Sequence, residues 1–198
     1  MFILVDKFQC PGIILSDLLL SEGRSSVDPS ELDFAVPIER GAMIGLNGSL
    51  PPLNGGYKRY EFTESGVSSR AIPGTPGFAH VVATDDHDED GVLISDEFTN
   101  PHKRQAMHEK RMRKMEGILP LIEAPRLWGS ENAQVTLVGW GSTQGVIREA
   151  IEKLGREEGI AADALQIKWI VPLHVAAITS ALANGKKVIN VGNNYSGE

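Results

Sequence analysis

Three stretches of this chain carry residue types at spacings that could do chemistry. Asp86, Asp88, Asp90, Gly91 and Glu97 fit a calcium-loop pattern, with acids at positions 1, 3 and 5, glycine at 6 and glutamate at 12, and Leu93 falls at the usual apolar position 8. Alternate acids converge on one concave side of a loop, and Ca²⁺ takes six to eight oxygens. The flanks disagree: such a loop needs a helix entering and leaving, whereas Pro73 to Gly77 precede it and Pro101 interrupts soon after. An acidic turn that stays solvated is the commoner case. The second stretch is Tyr57 to Gly77, with Tyr60, Glu64, Ser65 and Arg70. A guanidinium suits a carboxylate, which makes Arg70 the candidate to face a carboxylate substrate; an ordinary loop salt bridge is its commoner use. The third is Gly139-Trp-Gly-Ser-Thr143, because glycines before a helix N-terminus can cradle an anion. Gly139, Gly141 and Gly145 are spaced GxGxxxG, not GxGxxG, which favours a plain tight turn. Asp17, after the apolar run Ile13–Leu15, sits where open α/β sheets place ligands, or else caps a helix over Leu18–Ser21.

The elements that must position these residues are set by periodicity. Phe2, Ile3, Val5 and Phe8 suggest an apolar helix, Pro11-Gly12 a turn, and Ile13-Ile14-Leu15 a buried parallel strand. A helix–strand pair needs an earlier strand to make a sheet, so the pattern implies an upstream part. Gly23 to Asn54 reads as a surface arm with one short extended candidate, Phe34–Ile38. Tyr57 to Phe62 alternate enough for a strand, but Gly66, Pro73, Gly74, Pro76 and Gly77 allow no regular element beyond it. A loop this long is usually functional or disordered, and this one reads as ordered against something else. His102 to Leu119 is a helix, with Met107, Met112, Met115, Ile118 and Leu119 as its apolar side. Lys103, Arg104, Lys110, Arg111, Arg113 and Lys114 form a basic side, either solvated or docked on an acidic partner. Glu123 to Glu131 reads as a linker. From Ala133 the alternation is clean: strand Val135–Val138, a helix buried through Val146, Ile147, Ala150, Ile151 and Leu154, strand Ala164–Val171, helix His174–Ala183 and strand Lys187–Val191. Such alternation with short loops means a parallel sheet.

Composition narrows the function classes. The formal net charge of -7 over 198 residues argues against nucleic-acid binding, which needs clustered excess cations. One cysteine, Cys10, excludes an internal disulfide, a self-contained iron–sulfur cluster and a cysteine-based zinc site. The longest apolar run, Ile13 to Leu20, is broken by Ser16 and Asp17 and is far shorter than the ~20 residues that span a bilayer. With no secretory leader pattern either, the expectation is a cytoplasmic protein with no membrane partner.

Taken together the chain resembles the alpha subunit of a 2-oxoacid:ferredoxin oxidoreductase, most closely the 2-oxoglutarate type. The matching stretches are Ile14–Arg24, Phe34–Arg40, Tyr57–Gly74, His87–Gly91, Glu109–Lys114, Val135–Ser142 and Asn193–Gly197, in family order. The resemblance implies an α/β fold in three parts: residues 1–55 as the end and arm of a thiamine-diphosphate pyrimidine-binding domain, 56–132 as an irregular connector with a helix at about 102–119, and 133–198 as an incomplete transketolase C-terminal-like domain. It implies oxidative decarboxylation of a 2-oxoacid to acyl-CoA with reduction of ferredoxin. Thiamine diphosphate, Mg²⁺, an iron–sulfur cluster and CoA would belong to the complete hetero-oligomer. The beta subunit would carry the diphosphate site and the cluster, and none of these groups would be held by this chain alone. Arg70, Glu64, Ser65 and Tyr60 would face substrate or the subunit interface. Ser69 stands where the family tends to have proline, and Gly192 where it tends to have glutamate. The isolated chain would be inactive. The alternative is a noncatalytic α/β scaffold that docks partners.

Overall fold

The computed structural model describes residues 1–46, 50–82, 85–94, 101–183 and 186–195. In chain order its elements are α1 (Phe2–Phe8), α2 (Leu18–Glu22), β1 (Met43–Ile44), β2 (Arg70–Ala71), α3 (Pro101–Ile118), β3 (Leu127–Gly129), β4 (Val135–Trp140), α4 (Thr143–Lys153), β5 (Ala162–Ile167), α5 (Val175–Leu182) and β6 (Lys187–Val191). The chain divides into two units that interleave in sequence. One is Met1–Gly12 with Phe34–Pro120, and the other is Ile13–Asp33 with Leu121–Glu198.

The second unit is built on a four-stranded sheet of order β3-β5-β4-β6. β4 pairs in parallel with β5, from Val135↔Ala162 to Trp140↔Ile167, and with β6, from Val135↔Lys187 to Gly139↔Val191. β3 closes the far edge antiparallel to β5. Val135, Leu137, Ala162 and Ala164 form the core with Ile147 of α4, and Trp128, Ile151 and Leu154 pack around it. Ile147 is 1% exposed and Leu165 0%; side chains of this size contribute roughly 1.5–3 kcal/mol each when fully buried. The centre of the sheet also holds a polar group. Thr136 and Asp163 face each other across the β4–β5 ladder, Thr136 Oγ1 donates to Asp163 Oδ1 at 2.6 Å, and Lys186 Nζ meets Asp163 Oδ2 at 2.7 Å. Both strand residues are buried, so pairing is what makes the carboxylate tolerable there.

Several sequence expectations are corrected here. Glu123–Glu131 is not only a linker, because Leu127–Gly129 forms β3; three residues are too few to show a period. The strand expected to reach Val171 ends at Ile167, where its partner β4 ends at Trp140. Ile13–Leu15 makes no ladder, and its side chains are 58–76% exposed. A buried parallel strand needs neighbours, and the described strands of this unit pair with one another instead. Phe34–Ile38 likewise joins no sheet, and Phe34 is 85% exposed.

In the first unit β1 and β2 form a short parallel pair, Met43↔Arg70 and Ile44↔Ala71. α1 packs on α3, where Gly117 leaves room for the buried Phe8 ring; a Cβ there would lie 2.8 Å from Phe8 Cε1. Tyr57–Phe62 forms turns, not the expected strand. The buried stripe of α3 runs through Met107, Lys110 and Ile118, with Lys114 half-buried between them, while Met112 is 66% exposed. The apolar side read from sequence is therefore only partly correct, and the basic side is not all solvated. Positions 107, 110, 114 and 118 follow the helical repeat, and two of them are lysines.

Candidate functional site

Tyr57–Gly77 is held together by its own polar groups and by residues distant in sequence. Ser68 is buried; its hydroxyl donates to Glu61 O at 2.8 Å, and Lys110 Nζ donates to that hydroxyl at 2.7 Å. The Tyr57 hydroxyl donates to Ser69 O at 2.9 Å and accepts from Ala71 N at 3.2 Å. Gln9 Nε2 donates to Ser68 O, and Lys114 Nζ donates to Gln9 O. Gly66, at φ +78°, brings the loop against α3 so closely that a Cβ would lie 2.2 Å from Lys110 O. Only glycine takes both that backbone conformation and that approach.

Arg70, on β2, is engaged through Nη2 and Nε. Its Nη2 pairs with Asp6 Oδ1 and donates to Arg40 O, its Nε points to Met43 Sδ at 3.0 Å, and Arg40 Nη1 reaches Asp6 Oδ2 at 2.9 Å. The Arg70 hydrogen bond, with Arg40 adding its charge, holds the Asp6 carboxyl below the usual carboxylate range. Glu64 and Ser65 lie exposed in a turn, where Ser65 Oγ accepts from Val67 N. Tyr60 stacks on His87 with ring centroids 3.7 Å apart, and Arg59 lies 5.1 Å above the Tyr60 ring. Among the described residues no hydrogen bond joins Arg70, Glu64, Ser65 and Tyr60 to one another.

The acidic turn is organised by cations. Asp86 pairs with Arg104 at 3.2 Å and Arg111 at 3.1 Å, both on α3. The Asp88 carboxylate accepts from Asp90 N and Val92 N, each at 3.0 Å, and pairs with Lys103 at 3.2 Å. Burial pushes its pKa up, but the two amides and Lys103 outweigh that and leave it below the ordinary value. Lys58 pairs with Asp90. Glu97 lies outside the described residues. Asp88, Glu89 and Asp90 do come close enough to share an ion, yet each already has a cation beside it. This arrangement suits a clasp between a basic helix and an acidic turn better than a calcium loop.

Lys110 is the unusual group. It is 4% exposed, and burial lowers its pKa to about 8, with Lys114, Arg59, Arg111 and Arg113 pushing the same way. Burial likewise lowers Lys114 and raises the thiol of Cys10, beside it. In sequence both lysines fall on the basic face of the helix; the stretch Gly66–Ser68 that covers Lys110 lies more than forty residues away and gives no local signal.

In the second unit a cavity of about 190 Å³ opens just beyond the carboxyl ends of β4 and β6. Asp17 lies in its wall and also caps α2, accepting from Leu20 N at 2.8 Å. The capping reading of Asp17 therefore holds; the strand at whose end it was expected does not form, and the strand ends beside it are those of β4 and β6. Hydrogen bonds from Ser142 and then from Leu20 N keep its carboxyl below the usual range.

Residues 127–197 match the family model of the transketolase C-terminal domain. Over 197 residues, 98% of this chain, there is 36% identity to "2-oxoacid:ferredoxin oxidoreductase 2, subunit alpha" of Aeropyrum pernix, of which 29% is covered. The 2-oxoacid:ferredoxin oxidoreductase subunit alpha of Saccharolobus solfataricus is 34% identical over 201 residues, covering 98% of this chain and 30% of that protein. Among solved structures, 2-oxoglutarate:ferredoxin oxidoreductase from Magnetococcus marinus, with 2-oxoglutarate, coenzyme A and succinyl-CoA bound, matches with a TM-score of 0.62 and 36% identity over 72% of this chain and 24% of that one. The chain thus spans less than a third of the length of the curated relatives it matches.

Proposed function

Because nearly the whole chain is similar to 2-oxoacid:ferredoxin oxidoreductase alpha subunits, over a stretch equal to about 29% of their length, we propose that it belongs to that family and works as part of such a subunit. The reaction is oxidative decarboxylation of a 2-oxoacid to acyl-CoA with reduction of ferredoxin, and 2-oxoglutarate is the substrate. The observation that carries this is similarity along nearly the whole chain, extending to a solved relative described with 2-oxoglutarate, coenzyme A and succinyl-CoA bound.

Thiamine diphosphate, as electron sink for the carbanion left by decarboxylation, would supply the hard chemistry. Among the described residues none fits that cofactor's metal, and the chain's cysteine count does not fit a cluster. One thiol, Cys10, cannot replace the four that a cluster takes, and Asp88, Glu89 and Asp90 are already paired with lysines. We therefore assign thiamine diphosphate, Mg²⁺ and the iron–sulfur cluster to the complete complex, with the diphosphate and cluster on a beta subunit. This chain's part is to present surfaces. Tyr60, Glu64 and Ser65 lie on the exposed or half-exposed side of the loop and form the subunit interface, while Arg70 holds the loop base through Asp6. The exposed apolar side chains of Ile13, Ile14, Leu18 and Leu19 are the surface that the rest of the pyrimidine-binding domain covers.

Co-expression of the tagged chain with a cluster-bearing beta subunit and the remaining alpha polypeptide tests this. Copurification with CoA-dependent, 2-oxoglutarate-dependent dye reduction is the expected result, and the chain alone gives none. A stable monomer that binds neither polypeptide would instead support the scaffold reading.

A further inference from the structure

The cavity beside Asp17 has a position and a lining that the oxidoreductase reading leaves unused. In the parallel part of the sheet the order is β5-β4-β6. β4 passes its chain through α4 to β5 on one side, and β6 arrives on the other side after the connection has crossed over β4. That reversal is a topological switch point, and in open α/β sheets ligands bind in the crevice at the carboxyl ends of the strands flanking it. The cavity lies there: Trp140 ends β4, and Ser142 and Asn193 lie two residues past the ends of β4 and β6, respectively.

The lining says what class of ligand suits it. Among the described residues it contains no lysine, arginine or histidine, so a phosphate or carboxylate would find no cation and would meet the Asp17 carboxylate. That carboxylate takes two hydrogen bonds, from Leu20 N and Ser142, and keeps further lone pairs for donors. The Asn193 amide, exposed at the rim, offers both donors and an acceptor. The same lining includes Trp140, 38% exposed, and Leu20, 58% exposed, which add apolar surface to it. A ring with hydroxyls on its edge and a C–H face satisfies both walls at once. The cavity is smaller than the roughly 300–1,000 Å³ of drug-sized sites, which limits the ligand to about one such ring.

We propose that this cavity is a binding site for a neutral, polyhydroxylated ring, hydroxyls toward Asp17 and Asn193 and ring face toward Trp140. Two sources share that chemistry, a free monosaccharide and the ribose of a nucleoside. The site stands apart from the reaction proposed above, and copurification with a beta subunit does not bear on it.

Tryptophan emission of the full chain, titrated with adenosine, adenine, AMP and D-glucose, tests the proposal, with Trp140→Phe identifying the signal from the cavity. Binding of adenosine or glucose at about millimolar concentration supports the site. Adenosine alone assigns a nucleoside, and glucose alone a free sugar. Asp17→Asn keeps the α2 cap, since asparagine caps as well as aspartate, but removes the charge that strengthens hydroxyl hydrogen bonds, so it weakens binding about tenfold. Circular dichroism confirms that the variant is folded. Four outcomes overturn the proposal: adenine binding as tightly as adenosine, AMP binding more tightly than adenosine, no effect of Asp17→Asn, or no response to any probe at about 10 mM.

Discussion

Lys110 Nζ donates to the Ser68 hydroxyl at 2.7 Å, and among the described residues no carboxylate pairs with this buried ammonium. Its charged form is therefore disfavoured in the folded chain. The folded pKa, about 8, lies below the ordinary 10.5, so between these values the unfolded chain holds the proton and the folded chain does not. Stability must rise with pH across that window, and the full penalty is present below it. The shift corresponds to on the order of 3 kcal/mol. Lys114 acts in the same direction, whereas Cys10, whose thiol is raised by burial, opposes it above its ordinary value of 9.0. In a Cys10→Ala background, urea unfolding midpoints should climb from about pH 8 to 10. Lys110→Met should flatten most of that climb and raise the midpoint at pH 7. Ser68 keeps its bond to Glu61 O, so the substitution leaves no buried donor unpaired.

The clasp between the acidic turn and α3 makes a second prediction. Asp88 satisfies two backbone amides and Lys103, so Asp88→Ala should cost about 1–3 kcal/mol. Because the folded pKa of Asp88 is depressed, its contribution is present above the ordinary carboxylate range and lost as pH falls through the folded value. Calorimetry with millimolar Ca²⁺, the weak end of such sites, should show no heat. A heat abolished by Asp88→Ala would mean that the ion displaces Lys103.

In the sheet, Asp163 serves Thr136 and Lys186 together. Removing one partner of a buried charged group leaves the other uncompensated, so Asp163→Ala should cost roughly 3–5 kcal/mol. The measurement is the unfolding midpoint at pH 7. Asp163→Ala with Lys186→Met should recover part of the loss, and a double variant no better than the single would show that the pair is not coupled.

Gly66→Ala combines a left-handed backbone conformation with a clash against Lys110 O, which is backbone and cannot move aside. The expected cost is roughly 2–4 kcal/mol. Gly74→Ala, also at positive φ but with open space around its Cβ position, should cost only the conformational part, about 1 kcal/mol. Similar melting temperatures for the two variants would contradict the close packing.

Much of the second unit was legible in the sequence because its signals are local. The helical spacing of Ile147, Ala150, Ile151 and Leu154 and the apolar runs Val135–Val138 and Lys187–Val191 each belong to one element, and hydrophobic periodicity reports single elements well. Asp17 as a helix cap was readable for the same reason. β3 was not, since three residues acquire strand geometry only from pairing with β5. The candidate site was less legible still. Arg70 was visible as a residue type, but its partner Asp6 is sixty-four positions away.

By itself, the sequence determined the strand–helix alternation after Ala133, the absence of enough cysteines for a cluster, and the similarity to 2-oxoacid:ferredoxin oxidoreductase alpha subunits along nearly the whole chain. Tertiary structure alone decided that two lysines of α3 turn inward and that the acidic turn is filled by cations rather than left open. It also brought Asp17 beside the ends of β4 and β6. The division has a physical cause: propensity, periodicity and capping act within a few residues, whereas burial, charge pairing and cavities depend on groups brought together from distant parts of the chain.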